Sequence, residues 1–117
     1  MTNTPKRLIF MAHYIKSAKA LSKRYRNLER DVDPTLKQLE QGEILGEKIP
    51  NFPSHVVCKV RVANSDAQRG KSGGYRVIFC VYLEDTIVLI TIYSKSDMDN
   101  VSNELLAEVL QALEDEA

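Results

Sequence analysis

Residues 58–82, CKVRVANSDAQRGKSGGYRVIFCVY, decide how this chain is organised. From 55 to 63 the side chains alternate. Val56, Cys58, Val60 and Val62 fall on one face, and Val57, Lys59 and Arg61 fall on the other, the two-residue period of a strand. Residues 64–74 are polar and contain three glycines, so they read as a connection. A second, nearly continuous apolar run then opens with Gly74, Tyr75 and Arg76. The stretch carries five cations (Lys59, Arg61, Arg69, Lys71, Arg76) against the single acid Asp66. Cations interleaved with core residues on adjacent strands make a rigid charged surface. Such a surface suits a polyanion such as RNA, whose phosphates supply much of the affinity.

Downstream, residues 75–83 and 86–93 are apolar runs joined by Glu84 and Asp85 as a tight hairpin, and the second run ends in Tyr93 and Lys95. Runs this apolar suit central strands covered on both faces. An antiparallel meander of the three strands is the simplest topology. Upstream, residues 6–12 read as a strand and 13–28 as a helix. Tyr14, Ala18, Leu21, Tyr25, Leu28 and Val32 recur at steps of four and three. Lys16, Lys19, Lys23, Arg26 and Arg30 fall opposite that stripe, as a solvated face or as phosphate contacts. Asp33 and Pro34 suit the cap and first position of a second helix, with Leu36 and Leu39 inward and Gly42 at its end. Residues 44–53, with Gly46, Pro50 and Pro53, read as a loop. A last helix over 102–116 repeats Val101, Leu105, Val109 and Leu113 every four residues. The expected order is β-α-α-β-β-β-α: an α+β fold in which a small, mainly antiparallel sheet packs with two N-terminal helices and a C-terminal one.

At 117 residues and 44% hydrophobic composition, a single domain over 1–117 with a real core is expected. No apolar run reaches membrane-spanning length, and the N-terminus lacks the pattern of a secretory signal. Cys58 and Cys80 read as buried thiols in a reducing cytoplasm, and no cluster has metal-ligand spacing. Net charge is zero but uneven: +7 over 1–30, −3 over 31–58, +4 over 59–76 and −8 over 77–117. Two basic segments and an acidic C-terminus suit a nucleic-acid face opposite a solubilising or partner-binding one. Glu104 and Glu108, one turn apart on the last helix, are candidate shields of the basic sheet.

The element order, the cation pair of the second strand and the Gly-Tyr-Arg that opens the third resemble the RelE/ParE superfamily of bacterial toxins. KVRVANSDAQRGKSGGYRVIF followed by LITIYSKSDMDNVS is most similar to its RelE- and HigB-like branch. The resemblance implies a RelE-like fold and a type II toxin–antitoxin toxin: a ribosome-dependent endoribonuclease that cuts mRNA and inhibits translation. Its implied partners are a cognate antitoxin encoded by a neighbouring gene, the ribosome and mRNA. No cofactor and no membrane are implied. Carried over by position, Lys59 and Arg61 match strand cations near the scissile phosphate, Arg76 matches the arginine after Gly-Tyr, and Lys95 the late basic residue. Ser96 stands where a further basic residue is usual. The late tyrosine of some members is missing, which leaves Tyr93 as the nearby phenol. Alternatives are a gyrase inhibitor of the ParE-like branch, against which the three-cation set weighs, and a decayed toxin that only binds its antitoxin.

Cutting RNA through its own 2′-hydroxyl needs an acceptor for the 2′-proton, charge stabilisation at the phosphorane and a proton for the leaving 5′-oxygen. The nucleophile is already tethered to the phosphate, so this chemistry needs no metal. Arg61 and Arg76 suit the phosphorane charge as planar donors. Lys59 suits proton transfer, and Tyr93 orientation, protonation or stacking. Arg69 and Lys71 suit backbone phosphate contacts, as do Lys16, Lys19, Lys23 and Arg26. His13 and His55 open different elements and are not expected to converge.

Overall fold

Apolar runs as long as those at 75–83 and 86–93 need cover on both faces, and the molecule provides a helical layer on each side. The computed structural model describes residues 5–66, 74–98 and 100–116. The elements are β1 (Arg7–Phe10), α1 (Ala12–Ser22), α2 (Leu28–Glu40), β2 (Glu47–Lys48), β3 (Val56–Val62), β4 (Tyr75–Tyr82), β5 (Thr86–Ser94) and α3 (Asn103–Glu116). The strands form one sheet in the order β1-β5-β4-β3-β2. β3, β4 and β5 make the expected antiparallel meander, and β1 joins β5 in parallel. Every residue of β5 is buried, which accounts for its unbroken apolar sequence. No helix among the described residues is long and apolar enough to cross a membrane.

The alternation of β3 divides two cores. Cys58, Val60 and Val62 pack with Tyr75, Val77, Phe79, Ile87 and Leu89 against Tyr14 and Leu21 of α1 and Leu28, Val32 and Leu39 of α2. Val57 points the other way, with Ile78, Cys80, Val88 and Ile90, against Leu106, Val109, Leu110 and Leu113 of α3. Four such aliphatic side chains, at roughly 1.5–3 kcal/mol each, suffice to dock α3 despite the acids at its end. Ser102 caps it by accepting the Leu105 N–H at 3.1 Å. A bulge between Ile78 and Phe79 leaves Ile90 as the extra residue of β5.

Three expectations are corrected. The first helix stops at Ser22, and the second begins at Leu28, not at Asp33 and Pro34. Leu28 and Val32 belong to the second helix, and Pro34 lies inside it, where it cannot donate to the Arg30 carbonyl. Burial of Leu28, Val32 and Leu39 outweighs that missing bond. The expected loop over 44–53 contains β2, which pairs Glu47 with Lys59 and Lys48 with Cys58. This pairing needs Gly46, at φ +89°, because a Cβ there would overlap the Lys59 carbonyl. The element order therefore gains a strand. The end of α2 is as expected: Gly42 has φ 94°, its N–H donates to Leu39 O at 3.0 Å, and Glu43 N–H donates to Gln38 O at 3.0 Å.

Cys58 and Cys80 are buried free thiols on opposite faces of the sheet. Burial, then the proximity of Cys58, pushes the Cys80 thiol from 9.0 to about 11. Burial, then Asp33, pushes the Tyr14 phenol from 10.0 to about 12.

Two stability measurements check this account. Pro34→Ala should stabilise the protein by about 1–2 kcal/mol in urea unfolding, since the regained helix bond outweighs the looser unfolded chain. The raised Cys80 and Tyr14 values favour the neutral forms in the folded state. Their contribution is complete below pH 9 and is lost as pH rises toward 11–12. The urea midpoint should therefore hold up to pH 9 and fall above it, and Cys80→Val should lessen the fall.

Candidate functional site

Strand register assembles the site. Arg61 of β3 lies opposite Arg76 of β4, and Arg76 lies opposite Tyr93 of β5. Directly opposed residues on antiparallel strands share a face, with Cβ atoms about 4.5–5.5 Å apart. Arg61, Arg76 and Tyr93 thus form one row across three strands, on the α3 side of the sheet. Lys59 stands one step along β3 on that same face, opposite Ile78. Its Nζ donates to Asn100 Oδ1 at 3.0 Å.

The row is not the open surface the strand pattern suggested. Arg61 is exposed and Lys59 half-buried, but Arg76 and Tyr93 are each only 5% exposed. The reason is position: β4 and β5 lie inside the sheet, covered on both faces. Arg76 Nη1 donates to the Tyr75 carbonyl at 3.2 Å. Burial, and then the neighbouring Arg61 charge, hold the Arg76 guanidinium below its usual pKa. Like charges directly opposed across strands are unfavourable. An anion between Arg61 and Arg76 relieves that repulsion, and planar guanidinium groups favour phosphate.

The other expected residues lie elsewhere. Lys95 is half-buried in the turn after β5, its backbone N–H donating to Gly74 O at 2.9 Å. Lys16 and Lys19 on α1, Lys23 at its cap and Arg26 just after it are all exposed. α1 packs on the other face of the sheet, so the structure does not bring these four to the row. Arg69 and Lys71 lie outside the described residues. His13 is part of α1, and His55 Nε2 pairs with Glu114 Oε1 of α3 at 3.0 Å, so the two histidines do not converge. Glu108 borders a groove with Ile9, Phe10 and Met11 beside β1, at the sheet edge farthest from the β3 cations Lys59 and Arg61.

Sequence reading missed three contributors. Asp66, the lone acid of the basic stretch, accepts from Asn27 N–H at 2.9 Å and Asn27 Nδ2 at 3.1 Å, which holds the N-cap residue of α2 and sets a carboxylate beside the helix N-terminus. Asp31 Oδ2 accepts from Ser65 N–H at 2.9 Å and Ser65 Oγ at 3.0 Å. These bonds tie the exit of β3 to α2. Asn100, the partner of Lys59, lies 41 residues away and gave no local signal.

The family model described as the RelE toxin of the RelE/RelB toxin–antitoxin system matches residues 29–115. A free-state structure of E. coli toxin RelE, carrying two arginine-to-alanine substitutions, has a TM-score of 0.57 to this chain. That likeness covers 93% of this chain and 98% of that one at 16% identity, and establishes the fold alone. No curated protein sequence matches significantly.

Opposed arginines and an aspartate at the start of α2 have opposite expected effects. Asp66→Ala should cost about 1–2 kcal/mol in urea unfolding, through the loss of two hydrogen bonds to a carboxylate at the start of α2. Arg61→Gln should leave stability unchanged or raise it by up to about 0.5 kcal/mol. A greater loss in Arg61→Gln than in Asp66→Ala would make the row a structural element and not a binding one.

Proposed function

The chain belongs to the RelE toxin family, and we propose that it arrests translation by cutting mRNA on the ribosome. It is a toxin of a toxin–antitoxin system, whose family implies an antitoxin partner. The observation that supports the nuclease reading is the Arg61–Arg76–Tyr93 row with Lys59 beside it. We propose that the chain acts as a single domain in the bacterial cytoplasm, with an antitoxin encoded beside it.

In this reading the 2′-oxygen of the RNA attacks the adjacent phosphorus, the bond to the 5′-oxygen breaks, and a 2′,3′-cyclic phosphate remains. Arg76 and Arg61 hold the phosphate and take up the charge that grows on the phosphorane. Their mutual repulsion falls as that charge develops, so the arrangement favours the transition state over the empty site. Proton movement at the 2′- and 5′-oxygens falls to Lys59 and Tyr93, the amine and phenol of the row. Lys95 adds positive charge at the end of β5. Arg69 and Lys71 contact backbone phosphates and position the strand, with Lys16, Lys19, Lys23 and Arg26 as a separate basic surface facing the ribosome. The set is a weak acid–base system, so much of the rate comes from RNA held in place by the ribosome.

Expression in bacteria should stop growth and lower amino-acid incorporation, with mRNA cuts mapping to translating ribosomes. Arg76→Ala should cut at least about a hundredfold more slowly, or about 3 kcal/mol in the transition state, while remaining folded. Normal growth and intact mRNA at high soluble expression of the unaltered chain would overturn the nuclease reading.

A further inference from the structure

We propose that the cavity between β3 and the start of α3 is a nucleobase subsite that selects guanine in the bound RNA. The inference deepens the nuclease reading and rests on it. The cavity has a volume of about 380 Å³, within the roughly 300–1,000 Å³ range of small-ligand sites. Ile78 and Leu106 supply apolar wall for the faces of a base. Its polar lining residues are Lys59 and three asparagines, Asn51, Asn100 and Asn103. Amides and an ammonium at the rim of an apolar slot are the groups that read base edges.

Lys59 also lines a second hollow, of about 240 Å³, with Arg61, Glu47 and Gly46. One side chain thus borders both the phosphate-facing cations and the amide cavity. A phosphate held by Arg61, next to Lys59, therefore has its nucleoside within reach of the amides. The donor pattern selects the base. Lysine has no acceptor, so the Asn100 atom that faces it at 3.0 Å is the carbonyl oxygen. The Asn100 NH2 and the remaining Lys59 protons then form a donor-rich wall. Guanine offers the matching acceptors, O6 and N7, and lysine contact to that edge is an established pairing. The carbonyl oxygens of Asn51 and Asn103 can accept from the guanine N1–H and N2–H. Adenine would turn its N6 donors toward Lys59, and a pyrimidine fills less of the slot.

Two amides can be removed with little effect on the backbone. Asn51 has φ 77°, where glycine is at ease, so Asn51→Gly deletes the amide without strain. Asn103→Ala keeps α3, because Ser102 is its cap. The first test is NMR titration of the isotopically labelled protein with GMP, AMP, CMP and UMP at low salt. GMP should bind most tightly and shift Lys59, Asn51, Asn100 and Asn103. The double variant Asn51→Gly/Asn103→Ala should lose roughly tenfold in GMP affinity, with ribose 5-phosphate bound as before. Equal binding of the four nucleotides, or GMP binding unaffected by the double change, overturns the subsite.

The second test maps cleavage on translating ribosomes. The ratio of cuts at guanine to cuts at other bases should fall about tenfold in the double variant. Cutting by the unaltered chain with the same base ratio in both proteins overturns the subsite and leaves the nuclease reading standing. No cutting by the unaltered chain, with GMP seated in the cavity, overturns the nuclease reading and leaves the subsite. Protection of these amides by the antitoxin, with no shift from any mononucleotide, makes the cavity a protein groove and overturns the subsite.

Discussion

The register that joins β3, β4 and β5 governs the molecule at two scales. At the scale of the fold it sends Cys58, Val60 and Val62 to the α1 and α2 layer and Val57, Ile78 and Cys80 to α3. A slip of one residue would exchange the two cores and expose both. At the scale of the site the same register sets Arg61 against Arg76 and Arg76 against Tyr93. The cationic row thus needs no dedicated scaffold, because the burial that fixes the sheet also fixes the row. The residues of the row stand on strands of a sheet packed on both faces, not on a loop.

Such a row carries a cost. A buried guanidinium is expensive to desolvate, and Arg76 has a second guanidinium as its cross-strand neighbour. Stability alone would favour an apolar residue at position 76, since every other residue of β4 from Tyr75 to Cys80 is apolar and buried. The lowered pKa of Arg76, caused by burial and then by Arg61, reports the same tension. Local breaks with an otherwise consistent core are expected at sites that act on a ligand.

What could be read from the sequence follows the range of the physics. The β3 faces and the meander were legible because a two-residue period is local and its signal is repeated. The boundary between α1 and α2 was not. The apolar stripe from Tyr14 to Val32 continues in helical steps across the turn, and only three-dimensional burial assigns Leu28 and Val32 to α2. β2 is two residues long and has no pattern of its own; what permits it is the contact of Gly46 with the Lys59 carbonyl. In the site, the identity of Lys59, Arg61 and Arg76 as facing partners was legible, whereas the burial of Arg76 was not, since centrality of a strand depends on distant elements. Asp66 read as an isolated acid in a basic stretch and proves to hold Asn27, the N-cap residue of α2, 39 residues upstream.

Charge is also partitioned by architecture. Two acids of α3 lie away from Arg61 and Lys59. Glu114 is engaged with His55 at the far end of β3, and Glu108 borders the groove beside β1. Asp66 and Asp31 are committed to α2 and Ser65, and Asp97 to Arg24 at 2.7 Å. Asp31, Asp66, Asp97 and Glu114 are thus held by bonds that also build the fold. An anion drawn to Arg61 and Arg76, whether phosphate or carboxylate, would relieve the repulsion between them. Two ligands that each gain from that relief cannot gain from it together. A partner that placed an acid between these arginines would therefore compete directly with a phosphate ligand, without any change in the sheet.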